Sequence, residues 1–122
     1  MIIKFHHVGI EVKDLEVAKK LYEKAGFRID KNFDKKDIGK ACFVYKNEVG
    51  IELWQFEGKK TKITEKIAKH FALESSNVEE DLKIFLDNGY KISLPIAKGA
   101  FVKRYAYVED ESGNQIELLE LK

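Results

Sequence analysis

From Phe5 to Val12 the side chains alternate. Val8, Ile10 and Val12 fall on one face, and His7, Gly9 and Glu11 on the other, which is the period of a half-buried strand. Asp14 then stands where a helix N-cap belongs. Leu15, Ala18, Leu21 and Tyr22 recur at helical spacing up to Gly26, a residue suited to a C-terminal cap. Three more strand-like runs follow, at about 27–33, 40–46 and 49–56, the last two joined by a turn at Asn47-Glu48. The pattern predicts a βαβββ unit.

The chain then repeats itself. HVGIEVKDLEVAKKLYEKAGFRI (7–29) lies without a gap on HFALESSNVEEDLKIFLDNGYKI (70–92), matching His7 with His70, Glu11 with Glu74, Gly26 with Gly89 and Ile29 with Ile92. Tyr22 meets Phe85 and Phe27 meets Tyr90. Slightly out of phase, Ile51-Glu52-Leu53 meets Ile116-Glu117-Leu118. The second copy predicts a strand at 70–75 and an Asn77-capped helix with Val78, Leu82, Phe85 and Leu86 as its apolar positions. Strands at 90–96, 101–108 and 114–121 follow, with a turn at Ser112-Gly113-Asn114. A repeat of this length is strong evidence of architecture. We expect one α+β domain over 1–122, built of two βαβββ modules (about 1–57 and 68–122) whose strands form a cupped mixed sheet. Residues 57–69 form a polar connector with room for a short helical turn.

Composition narrows the picture. The chain has 122 residues, 44% hydrophobic and 35% charged, with a net charge of +1 and its lysines and glutamates dispersed. Nothing in that pattern favours a nucleic-acid or membrane partner, and no apolar run approaches a membrane span. One cysteine, Cys42, makes no intramolecular pair and sits in the apolar run ACFVY, where a small core residue is expected. A cytoplasmic location suits this usage.

The strand faces carry the candidate chemistry. Away from the helix, each first strand presents histidine, a small residue and glutamate: His7, Gly9 and Glu11, then His70, Ala72 and Glu74. The last strand of each module adds a glutamate, Glu52 with Trp54 and Phe56, and Glu117 with Leu119 and Leu121. A carboxylate among large apolar neighbours costs several kcal/mol unless it is paired or bound. Two imidazoles and two carboxylates brought together suit a divalent transition metal. His6 shares the apolar face with Val8 and is expected to be no ligand, and Glu120 is expected at solvent.

With these residues in place, the chain resembles the vicinal oxygen chelate superfamily, which includes glyoxalase I, methylmalonyl-CoA epimerase, extradiol dioxygenases and the fosfomycin- and bleomycin-resistance proteins. The resemblance rests on HHVGIEVKDLEVAKKLYEKAGF, IELW, KHFALES and YAYVEDESGNQIELLE. It covers nearly the whole chain and implies a homodimer with a divalent metal, nickel, cobalt or zinc. The ligand set it implies, His7, Glu52, His70 and Glu117, is most similar to that of glyoxalase I (lactoylglutathione lyase); the epimerase has a glutamine at the place of Glu52. Glu11 and Phe56 stand where short bacterial glyoxalases carry an arginine and an asparagine that contact glutathione.

The implied reaction is an isomerising lyase reaction that converts the hemithioacetal of a 2-oxoaldehyde and a thiol to a 2-hydroxyacyl thioester through a metal-stabilised enediolate. Glu117 is the first candidate for the base and Glu52 the second. Trp54, Phe56, Glu11 and Arg104 are the substrate-binding candidates. Lys98 and Lys103 are further groups that could hold a carboxylate. The alternatives are an epimerase acting on methylmalonyl-CoA and a protein that binds an antibiotic or another planar aromatic compound between Trp54, Phe56, Tyr105 and Tyr107.

Overall fold

A computed structural model describes residues 1–122. The elements run β1 (Ile2–Glu11), α1 (Leu15–Lys24), β2 (Arg28–Lys35), β3 (Gly39–Lys46), β4 (Val49–Phe56), α2 (Lys62–Ala68), β5 (Lys69–Ser75), α3 (Val78–Asp87), β6 (Lys91–Ala97), β7 (Val102–Glu109) and β8 (Gln115–Leu121). The strands form a mixed eight-stranded sheet in the order β2-β3-β4-β1-β5-β8-β7-β6. This is the α+β fold of βαβββ modules that the repeat predicts. The connector forms α2, a seven-residue helix started by a reciprocal pair of hydrogen bonds between Thr61 and Thr64.

The chain divides into two compact units, His7–Lys69 and His70–Lys122 with Met1–His6. The boundary falls within β1. Residues 1–6 belong with the second repeat: Ile2 packs on that unit's core, and Phe5 stacks on Phe71 at 6.2 Å.

In the first unit Leu15, Cys42, Val44 and Leu53 form a core between α1 and the sheet, with Ile10, Val12, Ala18 and Tyr22 against it. The other sheet face carries a second cluster of Ala41, Trp54 and the α2 residue Ile67. In the second unit Val78, Leu82, Ala106, Val108, Ile116 and Leu118 form the core beneath α3. Leu21 and Leu86, expected on the packed helix faces, are exposed instead. Asp81 takes an inner position on α3, where it accepts a hydrogen bond from Ser75 and lies 3.0 Å from the Met1 amino group.

Both long helices stop in the same way. Asp14 and Asn77 cap the starts through their side chains. At the ends Gly26 (φ +99°) and Gly89 (φ +92°) adopt the left-handed conformation. The following Phe27 and Tyr90 N–H groups donate to Tyr22 and Phe85, at 2.9 and 3.1 Å. These are Schellman closures with their apolar contact: the Tyr22–Phe27 and Phe85–Tyr90 rings meet edge-on at 5.3 and 5.1 Å. The aromatic pairs matched in the repeat are therefore helix stops.

Candidate metal centre

Parallel pairing in each unit brings a histidine and a glutamate onto one sheet face. β1 pairs with β4 so that His7 lies opposite Gly50 and Gly9 opposite Glu52. β5 pairs with β8 so that His70 lies opposite Gln115 and Ala72 opposite Glu117. Gly9 and Ala72 leave the space beside each carboxylate clear, and the histidine two residues earlier on the same face can reach it. His7 Nε2 stands 3.7 Å from Glu52 Oε1, and His70 Nε2 stands 3.3 Å from Glu117 Oε1.

All four side chains are buried, with residue exposures of 1% for His7, 8% for Glu52, 5% for His70 and 8% for Glu117. A strand glutamate placed only for solubility would be exposed. These are withdrawn from water beside imidazoles, the arrangement that a cation stabilises. Imidazole nitrogen with carboxylate oxygen is the donor chemistry that zinc, nickel and cobalt accept. Each unit thus supplies one imidazole nitrogen and one carboxylate oxygen, a buried donor pair of the kind that binds a divalent ion.

The middle strands supply one aromatic ring to each pair. Phe43 of β3 lies opposite Glu52 and meets the His7 ring edge-on at 5.0 Å. Tyr107 of β7 lies opposite Glu117, with its ring 5.2 Å from that of His70 and its hydroxyl donating to Glu117 Oε1 at 3.5 Å. Neither residue is legible as a neighbour of the pair until the hairpin register is known. Mapping ACFVY and YAYVE onto one another across the repeat is the signal that points to them. Tyr45, two residues from Phe43, stacks on it at 5.9 Å. Burial, followed by the Asp30 charge, pushes the Tyr45 phenol above its ordinary value against the opposing Arg28 guanidinium, so it stays protonated at neutral pH.

The other candidates are distributed differently. Trp54 and Phe56 share the Glu52 face and stack at 5.6 Å, but Trp54 is packed into the cluster with Ala41 and Ile67. Glu11 accepts from Lys60 at 2.9 Å. Arg104 is engaged by Glu120 and by Glu79 of α3, in a network to which Lys103 adds its charge. Glu120, expected at solvent, is buried and accepts from the Val78 N–H at 2.8 Å. The odd–even alternation of β8 explains this: Glu117 points away from α3 and Glu120 toward it. Cys42 is fully buried in the α1 core, and burial raises its thiol pKa, which fits the small core residue expected.

Residues 4–118 match the model of the Glyoxalase/Bleomycin resistance protein/Dioxygenase superfamily, and the chain belongs to that family. Among solved structures, it is similar to methylmalonyl-CoA epimerase from Mycobacterium tuberculosis, with a TM-score of 0.83 and 21% identity over 99% of this chain and 89% of that one. A Streptomyces coelicolor methylmalonyl-CoA epimerase variant in complex with 2-nitronate-propionyl-CoA gives a TM-score of 0.80 and 16% identity over 99% of both chains. A hypothetical protein from Bacillus halodurans C-125 gives 0.82 and 22% over 98% of this chain and 94% of that one. At these identities the likeness is one of fold. The named proteins among these three are epimerases, where the sequence motifs alone point first to glyoxalase I. No curated protein matches the chain. No helix is long and apolar enough to cross a membrane.

Proposed function

We propose that His7, Glu52, His70 and Glu117 hold one divalent ion, nickel, cobalt or zinc, and that the protein transfers a proton at the carbon α to the carbonyl of a thioester or thiol adduct. The observation that carries this reading is the buried His–Glu pair placed at equivalent register positions in both units. A bound ion would supply Lewis acidity toward the oxygen on which charge develops. The two histidines contribute imidazole nitrogen donors. Glu117 takes the α-proton, with Glu52 the second candidate; either the other glutamate then protonates the same carbon from the opposite face, or the base returns its proton to the neighbouring carbon. The first outcome is an epimerisation and the second an isomerisation.

Two substrates express this chemistry. An acyl-CoA thioester of the methylmalonyl type comes first, because two structures of this fold are epimerases, one of them crystallised with a CoA thioester analogue. The hemithioacetal of a 2-oxoaldehyde is the second, because a glutamate at position 52 resembles the ligand set of glyoxalase I. Trp54 and Phe56 share the Glu52 face, and we assign them to border either one. We take the active form to be a homodimer, which sedimentation at micromolar concentration tests.

The deciding experiment is deuterium exchange from solvent at the α-carbon, on metal-loaded protein, with methylmalonyl-CoA and with methylglyoxal plus glutathione or other thiols. Exchange with one substrate is expected, and Glu117→Gln should lower turnover by about 10²–10⁴ while weakening metal binding only modestly. Metal-loaded protein that exchanges neither substrate would favour the binder of planar aromatic compounds.

A further inference from the structure

We propose that Tyr107 positions Glu117 and so gives the two repeat-related glutamates unequal roles; the inference rests on the metal reading above. The two units share a common arrangement around the pair. Each has a histidine on its first strand and a glutamate on its last, with an aromatic residue directly opposite that glutamate on the middle strand. Each aromatic ring packs against its own histidine, Phe43 on His7 at 5.0 Å and Tyr107 on His70 at 5.2 Å.

One difference is an oxygen atom on the aromatic ring of the middle strand, a tyrosine at 107 where the first unit has Phe43. The Tyr107 hydroxyl donates to Glu117 Oε1, the same oxygen that lies 3.3 Å from His70 Nε2. Phe43 has no donor to offer Glu52. At 3.5 Å the contact is long for an O–H···O bond, so it directs the carboxylate more than it strengthens it. The hydroxyl is itself fixed, because Tyr107 is buried and its ring is held by His70 and by Tyr105, edge-on at 6.2 Å.

A carboxylate that must both ligate and take a proton gains from a donor that keeps one oxygen in place while the group turns. Donors that contact metal ligands from outside orient them in this way, and their loss costs about 10–100-fold in metal affinity or activity. Tyr107 is thus a positioning residue: it acts through Glu117.

The test uses Tyr107→Phe, which keeps the ring and removes the oxygen, and cobalt(II) as the probe. Cobalt titration followed by visible absorption should show an altered spectrum, and cobalt affinity or kcat for α-proton exchange should fall by about 10–100-fold, with KM within about twofold of wild type. The apo variant should melt with the wild-type protein. Adding Phe43→Tyr, which places the same oxygen beside Glu52, should not restore the spectrum. An unchanged spectrum, affinity and exchange rate in Tyr107→Phe would overturn the positioning role while leaving the metal reading intact. A loss that merely follows a lowered melting temperature, or restoration by Phe43→Tyr, would overturn it too. Wild-type protein that takes up no cobalt would remove both readings together.

Discussion

Glu120 Oε2 accepts a 2.8 Å hydrogen bond from the N–H of Val78, the first residue of α3. Gln55 Oε1 does the same, also at 2.8 Å, for Leu15 at the start of α1. Each acceptor follows its unit's glutamate, Glu117 or Glu52, by three positions, and so projects from the opposite face of the strand. The last strand of each unit therefore carries a candidate ligand on one face and a helix cap on the other. The cap ties the helix start to the strand that positions the ligand.

Glu120 should matter for stability. Glu120→Ala strips the acceptor from the buried Val78 N–H and a partner from Arg104, and should cost about 1–3 kcal/mol at neutral pH in urea unfolding. Glu120→Gln, which imitates Gln55, should cost less. The wild-type carboxyl also has a pH signature. Burial alone would raise its pKa, but the Val78 N–H, Arg104 and Lys103 outweigh burial and hold it below the ordinary carboxylate value. A depressed carboxyl stabilises the fold fully above the unfolded-state pKa, and that contribution is lost as pH falls through the folded-state pKa. The urea midpoint of wild type should therefore fall more steeply on the acid side than that of Glu120→Gln; parallel curves would count against this role.

The helix stops should cost the same in both units when their glycines are replaced. A Cβ at Gly89 meets nothing within 4 Å, so Gly89→Ala isolates the backbone cost of φ +92°. At Gly26 an added Cβ would lie 2.9 Å from Lys46 Nζ, the mobile end of a long side chain that can move aside. Each substitution should destabilise by about 1–2 kcal/mol, read as a shift in urea midpoint at constant slope. A neutral Gly89→Ala would contradict the Schellman closure.

Metal should couple to stability through His70. Zinc in hundredfold excess over its Kd should stabilise wild type by about 2.7 kcal/mol. His70→Ala should lose most of the bound metal and this gain, while His6→Ala, on the other face of β1, should keep both. Metal analysis of the purified variants together with thermal unfolding checks the assignment; equal retention in both would sink it.

The chain by itself determined the βαβββ repeat, the helix caps at Asp14 and Asn77, and the glycine stops, because each depends on residues close together in sequence. Alternation also put His7 and His70 on the face turned from the helices, since period 2 is a property of any strand. What lies opposite what was decided only by tertiary structure. The register that sets Glu52 against Gly9 and Phe43, and Glu117 against Ala72 and Tyr107, comes from hydrogen bonds between distant strands. The reversal at Glu120 has the same origin: a glutamate near the end of a strand reads as solvated until a helix N-terminus is laid over it. Arg104 likewise reads as an available cation, yet Glu79 and Glu120 engage it once α3 and β8 are packed together. Local spacing records which way a side chain points, whereas its partner depends on how the chain folds back, which carries no signature at short range.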